Sequence, residues 1–187
     1  MRMTFGTVSV TDASKKMIEQ ILKSNRLSSG KYVREFEKKF AGLVGAKEAV
    51  AVSSGTDADA LALAVLYDFG AKRQDEIIVP ALSFAATGNA VLQAGFTPVF
   101  VDINRKTLNI DPLKIEKAIT KKTRVIMPVH LMGKPVEIDA ISPIARKYNL
   151  YIIADAAEAH GAIYKNKNVG SLGDMVAYSL YIAHIIT

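Results

Sequence analysis

Apolar positions in the first quarter of the chain recur at helical spacing. Residues 12–26, "DASKKMIEQILKSNR", place Met17, Ile18, Ile21 and Leu22 on one face. Val33, Phe36, Phe40, Leu43 and Val44 repeat that spacing in "KYVREFEKKFAGLVG", and Gly45 supplies a helix stop. Past Gly45 the rhythm changes. Short, β-branched runs at 49–54, 76–80, 97–103, 124–131, 151–157 and 176–181 predict strands. Helical segments at 56–69, 84–94, 111–120 and 137–149 separate the first five. Continuously apolar strands alternating with helices predict an α/β fold with a mostly parallel sheet, covered on both faces. Such sheets bind ligands outside the carboxyl ends of their strands, so chemistry is expected there.

Composition narrows the class. The 187 residues are half hydrophobic, enough for one good core. No apolar run reaches the roughly 18 to 20 residues of a membrane helix, and "MRMTFGTVSV" lacks the apolar core of a signal peptide. The absence of cysteine excludes disulfides, thiolate zinc sites and a thiol nucleophile. These features predict a cytoplasmic protein with no membrane partner and no metal. The net charge of +6 is spread over pairs such as Lys15-Lys16, Lys38-Lys39, Lys72-Arg73 and Lys121-Lys122. Solvated helix faces account for them, and no nucleic-acid stripe forms. A modest preference for anionic small molecules is what the charge adds.

Four strand ends carry candidate chemistry. Ser54-Gly55-Thr56 opens into a helix, which makes either an anion site or an ordinary N-cap. Neither G-x-G-x-x-G nor a nucleotide P-loop is present. Phe84 follows the strand that ends at Pro80; it suits stacking on a flat ring, and taken alone it suits the core better. Asp155 follows three apolar residues, so its partly buried carboxylate needs a cation or strong donors. Glu158 and His160 come just after it, and His160 and His130 read best as structural histidines. Ser179 and His184 close the chain. Phosphate donors, a stacking aromatic, a carboxylate for a pyridinium and a polar catalytic group together describe a pyridoxal phosphate pocket.

The ordered segments "FEKKFAGLVGAKEAVAVSSGTDA", "DEIIVPALSFAATGNAVLQAGFTPVFVDI", "MPVHLMGKP", "IIADAAEAHGA" and "GDMVAYSLYIAH" resemble the DegT/StrS sugar aminotransferases, pyridoxal-phosphate enzymes of fold type I. The resemblance implies a three-layer large domain over residues 1–187. Residues 1–45 would be its N-terminal helical segment, and the last strand and small C-terminal domain would be missing. Gly55, Thr56 and Ser179 would hold the cofactor phosphate, Phe84 would stack on the ring, Asp155 would pair with the ring nitrogen, and Glu158 would sit beside the ring substituents. Asp59 stands where members generally carry an apolar helix residue, and it is expected to favour the helix N-terminus electrostatically.

Most members carry a lysine at the position of His184, and that lysine forms a Schiff base with the cofactor. Imidazole has no primary amine and cannot do so. It is instead a base with an unperturbed pKa of about 6.5. The subgroup with histidine at this place comprises the sugar-nucleotide 3-dehydratases, which use pyridoxamine phosphate on a 4-keto-6-deoxyhexose. The resemblance therefore implies a nucleotide-linked keto-sugar substrate, 3-dehydration with His184 as base, and a homodimer. An aminotransferase of the same family and a non-catalytic cofactor- or partner-binding homologue are the alternatives.

Overall fold

Ile77, Ile78 and Val79 are all fully buried, yet neighbours along the strand face opposite sides of one sheet. That alternation is the period of two expected of a strand, and both faces meet a core. The computed structural model describes residues 10–182. Five strands form the main sheet: β1 (Glu76–Pro80), β2 (Thr97–Val101), β3 (Thr123–Ile126), β4 (Tyr151–Asp155) and β7 (Met175–Ala177). Their order is β2-β1-β3-β4-β7, and every pairing is parallel. A small antiparallel hairpin, β5 (Ile163–Tyr164) and β6 (Lys167–Asn168), lies between β4 and β7 in sequence.

Helices cover both faces. α3 (Gly55–Ala64), continued by a 3-10 turn at Val65–Phe69, and α4 (Ala85–Gln93) supply Leu63, Leu66 and Val91 to one core, with Ile77, Val79 and Ile153 from the sheet. α5 (Pro112–Ala118) and α6 (Ile138–Tyr148) supply Ile115, Ile138 and Ile141 to the other, against Ile78, Ile126 and Ile152. The chain runs from β1 outward to β2, then returns to the other side of β1 for β3. Right-handed crossovers in opposite directions put their helices on opposite faces. The chain thus reverses its direction of growth between β1 and β3, and ligands of such sheets bind outside the carboxyl ends of the strands at that point.

Two amphipathic helices precede this core. α1 (Asp12–Lys23) is capped by Thr11, whose hydroxyl accepts from the Ser14 N–H at 3.1 Å. Its apolar face stays open, with Met17, Ile18 and Leu22 all exposed. α2 (Lys31–Val44) ends as expected at Gly45, where φ of 72° needs a residue without Cβ strain. Ala41 and Val44 are buried, whereas Phe36 and Leu43 are not.

Residues 49–54, expected as the first strand, form none. Val50 is exposed, and the Ala51 N–H donates to the Glu37 carboxylate at 2.9 Å rather than to a neighbouring strand. An extended β-branched segment becomes a strand only where another supplies a ladder, and no described strand does so. β1 matches its run at 76–80, and the other four strands of the main sheet are shorter than theirs. β3 ends at Ile126, with a single parallel bridge joining Val129 to Asp155 beyond it, and β7 ends at Ala177.

Candidate functional site

Asp155 is the carboxyl-terminal residue of β4 and is 6% exposed. Its backbone is fixed from one side, with its N–H donating to the Pro128 carbonyl and its carbonyl accepting from the His130 N–H, both at 2.9 Å. Its carboxylate is equally constrained. Oδ1 accepts from the Ala157 N–H at 3.0 Å, and Oδ2 accepts from the Thr87 hydroxyl at 2.9 Å. Because Thr87 spends its proton on Asp155, the Ser83 hydroxyl 2.6 Å away donates to Thr87. Thr87 was not singled out from the sequence; a threonine inside a helical stretch gives no signal until its buried partner is known.

Phe84 stands one turn before Thr87, at the N-cap of α4. It is 80% exposed, so the reading of an isolated core phenylalanine is corrected. Its extended backbone, with φ −66° and ψ 147°, holds it outside the helix, leaving the ring face free. Ala90 and Val91, further along α4, take the core role instead.

The α3 turn and the end of β7 meet directly. A Cβ on Gly55 would lie 2.8 Å from Ser179 Cβ and 3.2 Å from its Oγ, so only glycine permits this approach. Ser54 caps the helix by accepting from the Asp57 N–H at 3.1 Å. The Asp57 carboxylate in turn accepts from the Ser53 and Ser54 hydroxyls, which lower its pKa. Thr56 follows in the first turn of α3, half-buried. Ser179 is buried, and its Oγ accepts from the Tyr181 N–H at 3.2 Å.

Asp59 does not serve the helix terminus as expected. It is 3% exposed, and burial first, then the charge of Asp155, push its pKa well above the usual carboxylate range. A neutral acid offers no charge to the dipole, and Asp57 is the first-turn anion instead.

Glu158 and the histidines brace the rim. Glu158 Oε2 accepts from the Met132 N–H at 2.8 Å, holding a residue with φ of 52°. His160 donates from Nε2 to the Ser179 carbonyl at 2.6 Å and stacks on Tyr178 with centroids 5.1 Å apart. His130 Nδ1 accepts from the Val136 N–H at 3.1 Å, which places the ring proton on Nε2. That nitrogen is buried and has no partner among the described residues, and burial lowers the His130 pKa to about 4. His184 lies outside the described residues. Among the described residues, no cluster of histidine and acidic side chains is placed to hold a metal ion, and no helix is long and apolar enough to cross a membrane.

The strand ends thus gather Phe84, Asp155, Glu158 and Ser179 with the Gly55-Thr56 turn. The architecture is that of the large domain of fold type I pyridoxal-phosphate enzymes. Residues 9–187 match the DegT/DnrJ/EryC1/StrS aminotransferase family, and the chain belongs to it. It is 46% identical over 160 residues to the GDP-perosamine synthase of Caulobacter vibrioides, covering 86% of this chain and 42% of that protein. It is 41% identical over 172 residues to the GDP-4-keto-6-deoxy-D-mannose 3-dehydratase of Yersinia pseudotuberculosis, covering 90% and 44% respectively. The Escherichia coli GDP-4-keto-6-deoxy-D-mannose-3-dehydratase with bound hydrated PLP superposes with a TM-score of 0.82. That structure is 37% identical and covers 90% of this chain and 44% of its own. The chain spans less than half the length of these relatives.

Proposed function

We propose that this chain is the cofactor-binding portion of a pyridoxal- or pyridoxamine-phosphate-dependent enzyme acting on a nucleotide-linked keto-sugar, with 3-dehydration as its reaction. The observation that carries the cofactor reading is Asp155, a buried carboxylate held by Thr87 and Ala157 at the carboxyl end of β4. A buried anion fixed in this way suits a cationic ring nitrogen. The neighbouring groups fit the rest of the cofactor: the exposed Phe84 for its ring, Glu158 beside the ring substituents, and Gly55, Thr56 and Ser179 for its phosphate. When bound, pyridoxamine phosphate supplies an amine for the keto-sugar and an electron sink.

The chain's own groups bind and move protons around it. Backbone N–H groups at the start of α3 and the Thr56 and Ser179 hydroxyls hold the phosphate. Asp155 keeps the ring nitrogen protonated. His184, five residues after Ser179 in a place where lysine would anchor the cofactor, is the base that takes and returns the proton. The 3-dehydratase of Yersinia pseudotuberculosis supports this choice of reaction.

Aminotransfer is the second reading, favoured by the identity to the GDP-perosamine synthase. A homologue that binds cofactor or a partner protein without catalysis is the third. In the whole enzyme we place residues 1–187 in an incomplete large domain, expect a homodimer, and assign the protein to the cytoplasm.

The test uses full-length protein, pyridoxamine phosphate and a 4-keto-6-deoxyhexose nucleotide, with release of the 3-hydroxyl as the assay. His184→Asn should slow dehydration by about two to four orders of magnitude while cofactor still binds. An asparagine variant as fast as wild type removes His184 from the mechanism. Amino transfer at C4 as the sole wild-type reaction establishes the second reading, and failure to bind either cofactor form overturns both enzymatic ones.

A further inference from the structure

Ser179 lies two residues past the end of β7, beyond the parallel ladder that joins this strand to β4. The last ladder pair is Asp155 with Ala177, and the Ala156 N–H donates to the Ala177 carbonyl at 2.8 Å. Past that point no described strand pairs with the backbone of Ser179. A side chain continues the connection instead. His160, in the turn that follows β4, donates from Nε2 to the Ser179 carbonyl at 2.6 Å.

The His160 ring is itself held. It stacks on Tyr178, with centroids 5.1 Å apart and planes 23° from parallel. Phe40 of α2 stands nearly perpendicular to both rings, with its centroid 6.3 Å from that of His160 and 5.4 Å from that of Tyr178. A ring packed against two others has few rotamers open to it, so Nε2 is kept on the carbonyl. The turn beneath is equally firm. The Ala159 N–H donates to the Ala156 carbonyl at 2.9 Å, and both alanines are buried. Ala156 directly follows Asp155, so the carboxylate and the imidazole share one tightly bonded segment.

Ser179 is fixed on its other sides as well. Its Cβ faces Gly55 so closely that a methyl there would come within 2.8 Å, and its Oγ accepts from the Tyr181 N–H at 3.2 Å. A hydroxyl that accepts in this way keeps its own proton to donate. We propose that His160 is a positioning residue for the cofactor phosphate: by holding the Ser179 carbonyl it aims that hydroxyl and sets its spacing from the Asp155 carboxylate. The proposal rests on the reading of Asp155 and Ser179 as partners of the cofactor's ring nitrogen and phosphate. A ligand that must satisfy both ends at once binds more tightly when that spacing is preset, because less ordering remains to be done. His160 acts on it through Ser179.

The test is a double-mutant cycle on full-length protein, read as affinity for pyridoxamine phosphate by titration calorimetry. His160→Phe keeps an aromatic ring against Tyr178 and removes the donor. It should weaken binding by roughly threefold to tenfold, the worth of one hydrogen bond. In a Ser179→Ala background the same change should cost almost nothing, because the hydroxyl it would misplace is gone. His160→Gln, which returns an N–H donor, should bind more tightly than His160→Phe. An equal loss with and without the Ser179 hydroxyl overturns the proposal and leaves the cofactor reading intact, since a merely structural role acts in both backgrounds. Binding by His160→Phe as tight as that of wild type overturns it too. If that variant does not fold, His160→Leu takes its place and the same two outcomes decide. A wild type that binds no pyridoxamine phosphate overturns the cofactor reading, and this proposal with it.

Discussion

The Thr87 hydroxyl donates to Asp155 Oδ2 at 2.9 Å across 68 residues of chain, joining α4 to the end of β4 inside the core. Thr87→Val keeps the shape and deletes the donor. The buried carboxylate would retain the Ala157 N–H, and the Ser83 hydroxyl would lose its acceptor. Leaving a buried polar group short of a partner costs about 1–3 kcal/mol. Chemical denaturation should show a loss of that order, and an unchanged midpoint would count against the constraint on Asp155.

Asp155→Asn tests the charge rather than the shape. An opposite charge within a few ångström shifts a pKa by about 1–3 units, so the ring nitrogen of bound cofactor should titrate lower by about that amount. Absorbance of the bound cofactor against pH gives the answer directly. Turnover of the full-length enzyme should collapse alongside. Near-normal affinity and rate would remove Asp155 from the site.

At Gly55 the prediction is steric. Gly55→Ala places a methyl 2.8 Å from Ser179 Cβ, and forced overpacking of this kind costs about 1–3 kcal/mol. Phosphate binding should weaken too, because the α3 turn and β7 must part. Ser179→Gly in the same chain removes the clashing Cβ and should recover most of the lost melting temperature. A second change that recovers nothing would show that the strain lies elsewhere.

His130 governs an acid limb of stability. The folded chain keeps it neutral down to about pH 4, whereas an exposed histidine titrates near 6.5. Between these values the unfolded chain binds more protons, so His130's contribution is complete above pH 6.5 and is lost as pH falls. At 1.36 kcal/mol per pKa unit the loss is on the order of 3 kcal/mol by pH 4. His130→Asn should flatten that limb in unfolding experiments, and an unchanged slope would contradict the burial.

Most of the fold was legible because its signals are local. Helical spacing located α1 through α6, and apolar runs located the five strands of the main sheet. Residues 49–54 carry the same local signal and still form no strand, since a ladder depends on a neighbour. Gly55, Thr56, Asp155, Glu158 and Ser179 could be nominated from the sequence, because they stand at element ends and the family resemblance gives them roles. Thr87 and Asp59 were not, because their meaning comes from burial beside Asp155. Phe84 shows the same limit, its hydrophobicity arguing for the core while the N-cap geometry turns it outward.

The contact between Gly55 and Ser179 also bears on how the chain is made. One partner opens α3 and the other follows β7, the last strand to be synthesised among those described. A growing chain on the ribosome can assemble β1 to β4 with their helices before Ser179 has emerged. The turn at Gly55 must then wait, half-built, until β7 has joined the described sheet. Contact between the two thus couples the start of α3 to the completion of β7, about 120 residues further along the chain.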